Sequence, residues 1–131
     1  MTLEQVKYFN YFKKISMAID ILQTVDIIEI MENYLEDARP PEEIRKQLDI
    51  GYRIEDQSVL LVEMRPIWNN PSEIREYAYA KATFNKSKNV WKIFWMPGNL
   101  KWLSYQGAPE VKTLKEFLHI VDEDKMSCFK G

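Results

Sequence analysis

Three groups of side chains in this sequence are of types that could do chemistry. The first is basic and aromatic. Between Glu76 and Glu110 there is no acidic residue, while Lys81, Lys86, Lys88, Lys92 and Lys101 are interleaved with Tyr77, Tyr79, Trp91, Trp95, Trp102 and Tyr105. Ammonium groups that meet phosphates, beside flat rings that stack on bases, are the ingredients of single-stranded nucleic-acid binding on a sheet. Lys86, Lys88, Lys101 and Trp102 are the candidates for that role. The plainer account is favoured at this point: tryptophans on a sheet form core, and lysines at its edges discourage aggregation.

The second group is a polar strand face. If Leu48, Ile50, Tyr52, Ile54, Leu60, Val62 and Met64 point inward, Arg53, Glu55, Glu63 and Arg65 project together, and Lys81 and Lys92 join them. Such a face could hold a small anionic ligand on Arg53, Glu63, Arg65, Lys81 and Lys92, the arginines above all. An enzyme acting on a small molecule would draw on Glu63, Arg65 and Lys81. Solvated pairs such as Arg53–Glu63 or Lys81–Glu63 explain the same residues without a site.

The third group is His119 with Asp122, Glu123 and Cys128. Its helical spacing could hold a metal, but a lone exposed histidine is the more ordinary reading. Cys128 beside Phe129 reads as a packed apolar residue rather than a nucleophile. The sequence has no G-x-G-x-x-G, no G-x-x-x-x-G-K-[ST] and no H-E-x-x-H. No catalytic residue, metal ligand or cofactor is therefore expected.

The elements that must position these groups follow from periodicity. Leu3, Val6, Phe9, Phe12 and Ile15 recur at steps of three, which predicts an amphipathic helix. A second helix is predicted over 20–37, with Ile21, Val25, Ile28 and Leu35 on one face, ended by Arg39-Pro40-Pro41. The period then changes to two. Strands are expected at 48–54, 59–65, 77–84, 90–96 and 100–105, with Trp68-Asn69-Asn70-Pro71-Ser72 as a loop. Short turns between them imply an antiparallel meander. In the third strand Ala78, Ala80 and Ala82 should share one face, and Tyr79, Lys81 and Thr83 the other. In the fourth, Trp91, Ile93 and Trp95 should oppose Phe94 and Met96. Both faces of that strand are thus apolar. The N-terminal helices would cover one face, and the C-terminal helix or a second subunit the other. Thr113 and Glu116 have capping-box spacing ahead of a closing helix whose apolar set is Leu114, Phe117, Leu118 and Val121.

The totals agree with one α+β domain spanning 1–131: a five-stranded antiparallel meander flanked by N-terminal helices and one C-terminal helix. The 131 residues are 46% hydrophobic and 29% charged, the balance of an ordinary folded domain. Eighteen basic against 20 acidic residues give a net charge of -2, which excludes a generally basic nucleic-acid coat but not a local patch. The single cysteine excludes an internal disulfide and a Cys-rich zinc module. No apolar run approaches the ~20 residues of a membrane span, and the start lacks the pattern of a signal peptide. No membrane partner is expected, and cytoplasm is the expected location.

A family resemblance rests on a set of motifs. They are Arg39-Pro40-Pro41, Gly51-Tyr52-Arg53-Ile54-Glu55-Asp56-Gln57-Ser58-Val59 and Glu63-Met64-Arg65-Pro66-Ile67-Trp68. Ala80-Lys81-Ala82-Thr83-Phe84, Trp91-Lys92-Ile93-Phe94-Trp95, Leu100-Lys101-Trp102-x-x-Tyr105 and the Cys128-Phe129-x-Gly131 ending complete it. In combination they cover the chain from about Ile28 to Gly131, which resembles the bacterial domain-of-unknown-function family DUF3024. The resemblance implies no activity and carries over no catalytic residue. Leu103 departs from it, standing where family members often have a histidine after the Lys-Trp pair. Met17 lies about where a typical member begins, so residues 1–16 are either an extra helix or an upstream start choice.

The sequence thus points to a small non-enzymatic binding or regulatory domain acting through its sheet face, with a second copy of the chain as one candidate partner. Single-stranded nucleic acid and a small-molecule substrate are the alternatives. A chain beginning at Met17 is expected to keep a cooperative thermal melt. Loss of cooperativity would place residues 1–16 in the core.

Overall fold

The computed structural model describes residues 20–130; the helix expected over 3–15 lies outside them. The first described helix, α1, spans Ile21–Ala38. Asp20 caps it by accepting from the Gln23 N–H at 2.8 Å, which satisfies one of the donors a helix start leaves open. Arg39, with extended backbone before Pro40-Pro41, ends it as the prolines require. Thr24, Ile27, Met31 and Leu35 are its buried residues, and Asp26, Glu29, Glu32, Glu36 and Asp37 face solvent.

The strands follow as β1 (Asp49–Glu55), β2 (Ser58–Ile67), β3 (Asn70–Asn85), β4 (Val90–Trp95), β5 (Leu103–Ser104) and β6 (Glu110–Val111). They form one antiparallel sheet in the order β1-β2-β3-β4-β5, with β6 also paired to β4. Asp56 and Asn89 supply the left-handed residues at the β1–β2 and β3–β4 turns, at φ 51° and 55°. Their short side chains tolerate that conformation better than most, so neither hairpin needs glycine. The last helix, α2, spans Leu114–Glu123. Thr113 Oγ1 accepts from the Glu116 N–H at 3.2 Å, as the capping-box spacing predicts, while Glu116 accepts from the Lys112 N–H, one residue ahead of the cap, at 3.0 Å.

Register assigns the faces. Tyr52, Leu61, Ala80 and Trp95 form one row across the sheet, and Ile54, Val59, Ala82 and Ile93 the next. These rows belong to a single core cluster with Ile27 and Met31 of α1 and Leu114, Phe117, Leu118 and Val121 of α2. The expectation that the C-terminal helix would take the opposite face is therefore corrected: both described helices pack on the same side.

Two further expectations shift. The alternation of β3 breaks at Tyr79, because Leu61 pairs with Ala80 but Val62 pairs with Ala78, leaving Tyr79 as the extra residue of a β-bulge. Tyr79 accordingly packs against the helix-side core rather than sharing a face with Lys81 and Thr83. The segment 68–72 is mostly strand: Ile67 pairs with Asn70, so Trp68 and Asn69 alone make the turn. β2 and β3 therefore continue as a two-stranded arm beyond the last pairings with β1 (Asp49–Met64) and β4 (Ala80–Trp95). Trp68, at the tip, is 91% exposed. No described helix is long and apolar enough to cross a membrane.

Arg39 joins the end of α1 to the edge strand, donating from Nη2 at 2.7 Å and Nε at 3.0 Å to the Asp49 carboxylate. This hydrogen bonding holds the Asp49 carboxyl below the usual range, against the opposing effect of burial. A depressed folded pKa means that the stabilisation is complete above the unfolded value of about 4 and is lost as pH falls through the folded one. Urea midpoints of wild type and Asp49→Asn should therefore differ near neutral pH and converge in acid. A gap that stays constant down to about pH 2 would contradict the assignment.

Candidate functional site

The face opposite the helices carries the candidate site. A row of side chains crosses it from strand to strand: Arg53 pairs with Leu60, Leu60 with Lys81, Lys81 with Phe94, and Phe94 with Ser104. Beside it run Glu55, Ser58, Thr83, Lys92 and Glu110. Ser58 and Thr83 share a 2.7 Å hydrogen bond. Leu60 and Val62 are only 4% and 1% exposed although they face away from both helices. Arg53 and Lys81 flank Leu60 with long aliphatic stems, which cover apolar surface while their charged heads reach outward.

Lys81 is the centre of this face. Its Nζ lies 4.8 Å from the centroid of Phe94 and 4.8 Å from that of Trp102. Trp102 reaches it because it precedes β5 by one residue and so shares the face of Ser104. Among the described residues no carboxylate pairs with this ammonium. Partial burial pulls its pKa below the usual lysine value, with Glu55 opposing. The two rings supply part of the missing stabilisation, of order 0.5–2 kcal/mol for each cation–π contact. Arg53, by contrast, is neutralised by Glu55 and Glu76, each at 3.5 Å.

The other proposed members are divided. Glu63 and Arg65 have the parity of Val59 and Leu61, so they lie on the helix side, and Glu63 is close enough to raise the pKa of the Tyr79 hydroxyl. The expected Arg53–Glu63 and Lys81–Glu63 contacts do not form. Glu63 instead accepts from Arg65 at 2.6 Å. The trio Glu63, Arg65 and Lys81 is thus split between two faces. The cause is the phase of β2: Val59 to Val62 is apolar on both sides, and Leu60, Val62 and Met64 turn away from the helices rather than inward.

The nucleic-acid candidates also separate. Lys86 and Lys88 sit in the β3–β4 turn, while Lys101 and Trp102 stand at the other end of β4, a strand about 20 Å long. Lys92 lies between them on the same face as Lys81 and opposite Glu110. Lys88, Lys92 and Lys101 are exposed.

On the helix side, Tyr34 Oη donates to Asp122 at 2.7 Å beside a cavity of about 400 Å³ that Ile50, Asp37 and Lys130 also line. Behind it the buried Tyr79 hydroxyl has no hydrogen-bond partner among the described residues. Burial foremost raises the pKa of both phenols well above the usual value, so both stay neutral. Nothing in the local sequence announces this group, since α1, β3 and α2 bring its members together from distant positions.

His119 is 73% exposed and pairs with Glu123 one turn on. No group of three or more His, Cys, Asp or Glu among the described residues is arranged to hold a metal. Cys128 packs against the core, and burial pushes its thiol pKa up.

The fold is an α+β domain with one helix-covered sheet face and one face that carries the basic and aromatic row. The chain belongs to the family described as Domain of unknown function (DUF3024), whose model matches residues 19–131. No curated protein and no solved structure matches it.

Because Glu63 pairs, among the described residues, with the exposed Arg65, Glu63→Gln should cost less than about 1 kcal/mol in urea melts. A loss of several kcal/mol would mean that the carboxylate neutralises a buried cation.

Proposed function

We propose that this chain is a non-enzymatic binding domain that takes an anionic ligand on the sheet face centred on Lys81. One observation carries the reading: Lys81 holds its ammonium over two rings, with no carboxylate paired to it among the described residues. A surface lysine that served solubility alone would extend into water, whose hydration of an ammonium is strong. Here the chain keeps a partly dried cation, which an incoming anion would stabilise more than it would a fully hydrated one.

The absence of acidic residues between Glu76 and Glu110 supports the same reading. So does the polarity of the molecule, since the solvent face of α1 is acidic and would steer anions toward the other side. The split of Glu63 and Arg65 from Lys81 supports a binding face over the three-residue reaction centre.

The test is a titration with short-chain inorganic polyphosphate, followed by tryptophan fluorescence and by backbone amide shifts. Binding should weaken as salt rises, because each neutralised phosphate releases a counterion. Lys81→Gln combined with Lys92→Gln should weaken it about tenfold, equivalent to ~1.4 kcal/mol. The largest shifts should fall in β3 and β4. No binding at low salt, or binding insensitive to both substitutions, overturns the proposal.

A further inference from the structure

The rings that bracket Lys81 narrow the class of anion. We infer that the ligand is single-stranded nucleic acid, laid across the strands with bases on Trp102 and Phe94 and a phosphate on Lys81. This inference rests on the anion-binding reading and adds the bases to it.

Three observations carry it. The aromatic surfaces belong to adjacent strands, Phe94 in β4 and Trp102 just before β5, and both meet the same ammonium. A phosphate that drew Lys81 outward would free both ring faces at once, so the cation and the stacking platforms become available together. Rings of this kind accept any base, because every base has a π face. Second, the row from Arg53 to Ser104 crosses five strands, which at ~4.8 Å per strand gives a platform of roughly 19 Å. Four-stranded sheets that read single-stranded RNA place two or three bases on such a platform. Third, a second ammonium, that of the exposed Lys92, stands on the neighbouring row of the same face, which a backbone of repeating phosphates would use and a single compact anion would not require.

Stacking on Trp102 needs a base whose own partner is absent, which favours unpaired bases over duplex.

Fluorescence anisotropy with three labelled strands of equal length tests this: a dT oligonucleotide, an abasic strand with the same phosphodiester backbone, and a duplex. The dT strand should bind at least about tenfold more tightly than the abasic strand and than the duplex, since stacking is lost in both. Trp102→Ala should erase the difference between dT and abasic strands, and Trp102→Phe, which keeps a ring and guards against loss of fold, should restore most of it. Lys81→Gln should weaken both strands alike. Equal affinity for dT and abasic strands would overturn the role of the bases while leaving an anion-binding face. Duplex bound as tightly as the single strand would overturn the preference for unpaired bases. No binding of any strand, where polyphosphate still binds, would overturn the nucleic-acid assignment alone. No binding of strands or polyphosphate would remove the underlying reading as well.

Discussion

Where Leu60 and Val62 go determines much of this molecule. Four consecutive apolar residues, Val59 to Val62, cannot all face one layer of helices, because successive strand residues alternate sides. Helices α1 and α2 cover Val59 and Leu61 and leave Leu60 and Val62 on the opposite face, where both are nonetheless almost fully buried. Burying a leucine side chain is worth about 1.5–3 kcal/mol, so leaving Leu60 wet would cost a large part of a small domain's stability. The long stems of Arg53 and Lys81 stand on either side of it. That position accounts for the partial drying of the Lys81 ammonium and for its contact with Phe94 and Trp102. Core packing and the candidate site are consequences of the same alternation.

Much of the frame was legible in the sequence, because its signals are local. Asp20 and Arg39-Pro40-Pro41 bound α1, Thr113 and Glu116 open α2, and the change from helical to alternating period marks the start of the sheet. The meander follows from short turns that contain residues able to adopt positive φ. The faces were less legible. A run apolar on both sides, such as Val59 to Val62, carries no phase, so the sequence cannot say which of its residues look toward the helices. A bulge adds one residue and leaves no trace in composition, and at Tyr79 it reverses the assignment of the whole N-terminal part of β3. Pro66 and Pro71 suggested breaks, yet both lie in strands, because an arm with no neighbours does not need the N–H groups that prolines lack.

The candidate site divides in the same way. That Lys81 and Trp102 are the right kinds of residue could be read from type alone. That they meet could not, since 20 positions separate them and the meeting depends on β3, β4 and β5 falling into register. Glu63 and Arg65 join Lys81 only if β2 is given the other phase, and that one-residue difference in facing decides whether the three share a face. The Tyr34, Tyr79 and Asp122 group shows the converse. Three elements bring it together, and no spacing in the chain hints at it.

The β2–β3 arm has a consequence for behaviour at high concentration. Past Met64 and Ala80 it has no described strand on either flank, so it presents two unpaired edges, the usual template for strand-by-strand polymerisation. Pro66 and Pro71 each remove one backbone donor from those edges, and Arg65 stands directly across from Arg75, so a stack of identical arms would set like charges against one another. The arm thus carries its own protection against fibril growth, and replacing Pro66 and Pro71 together would weaken it.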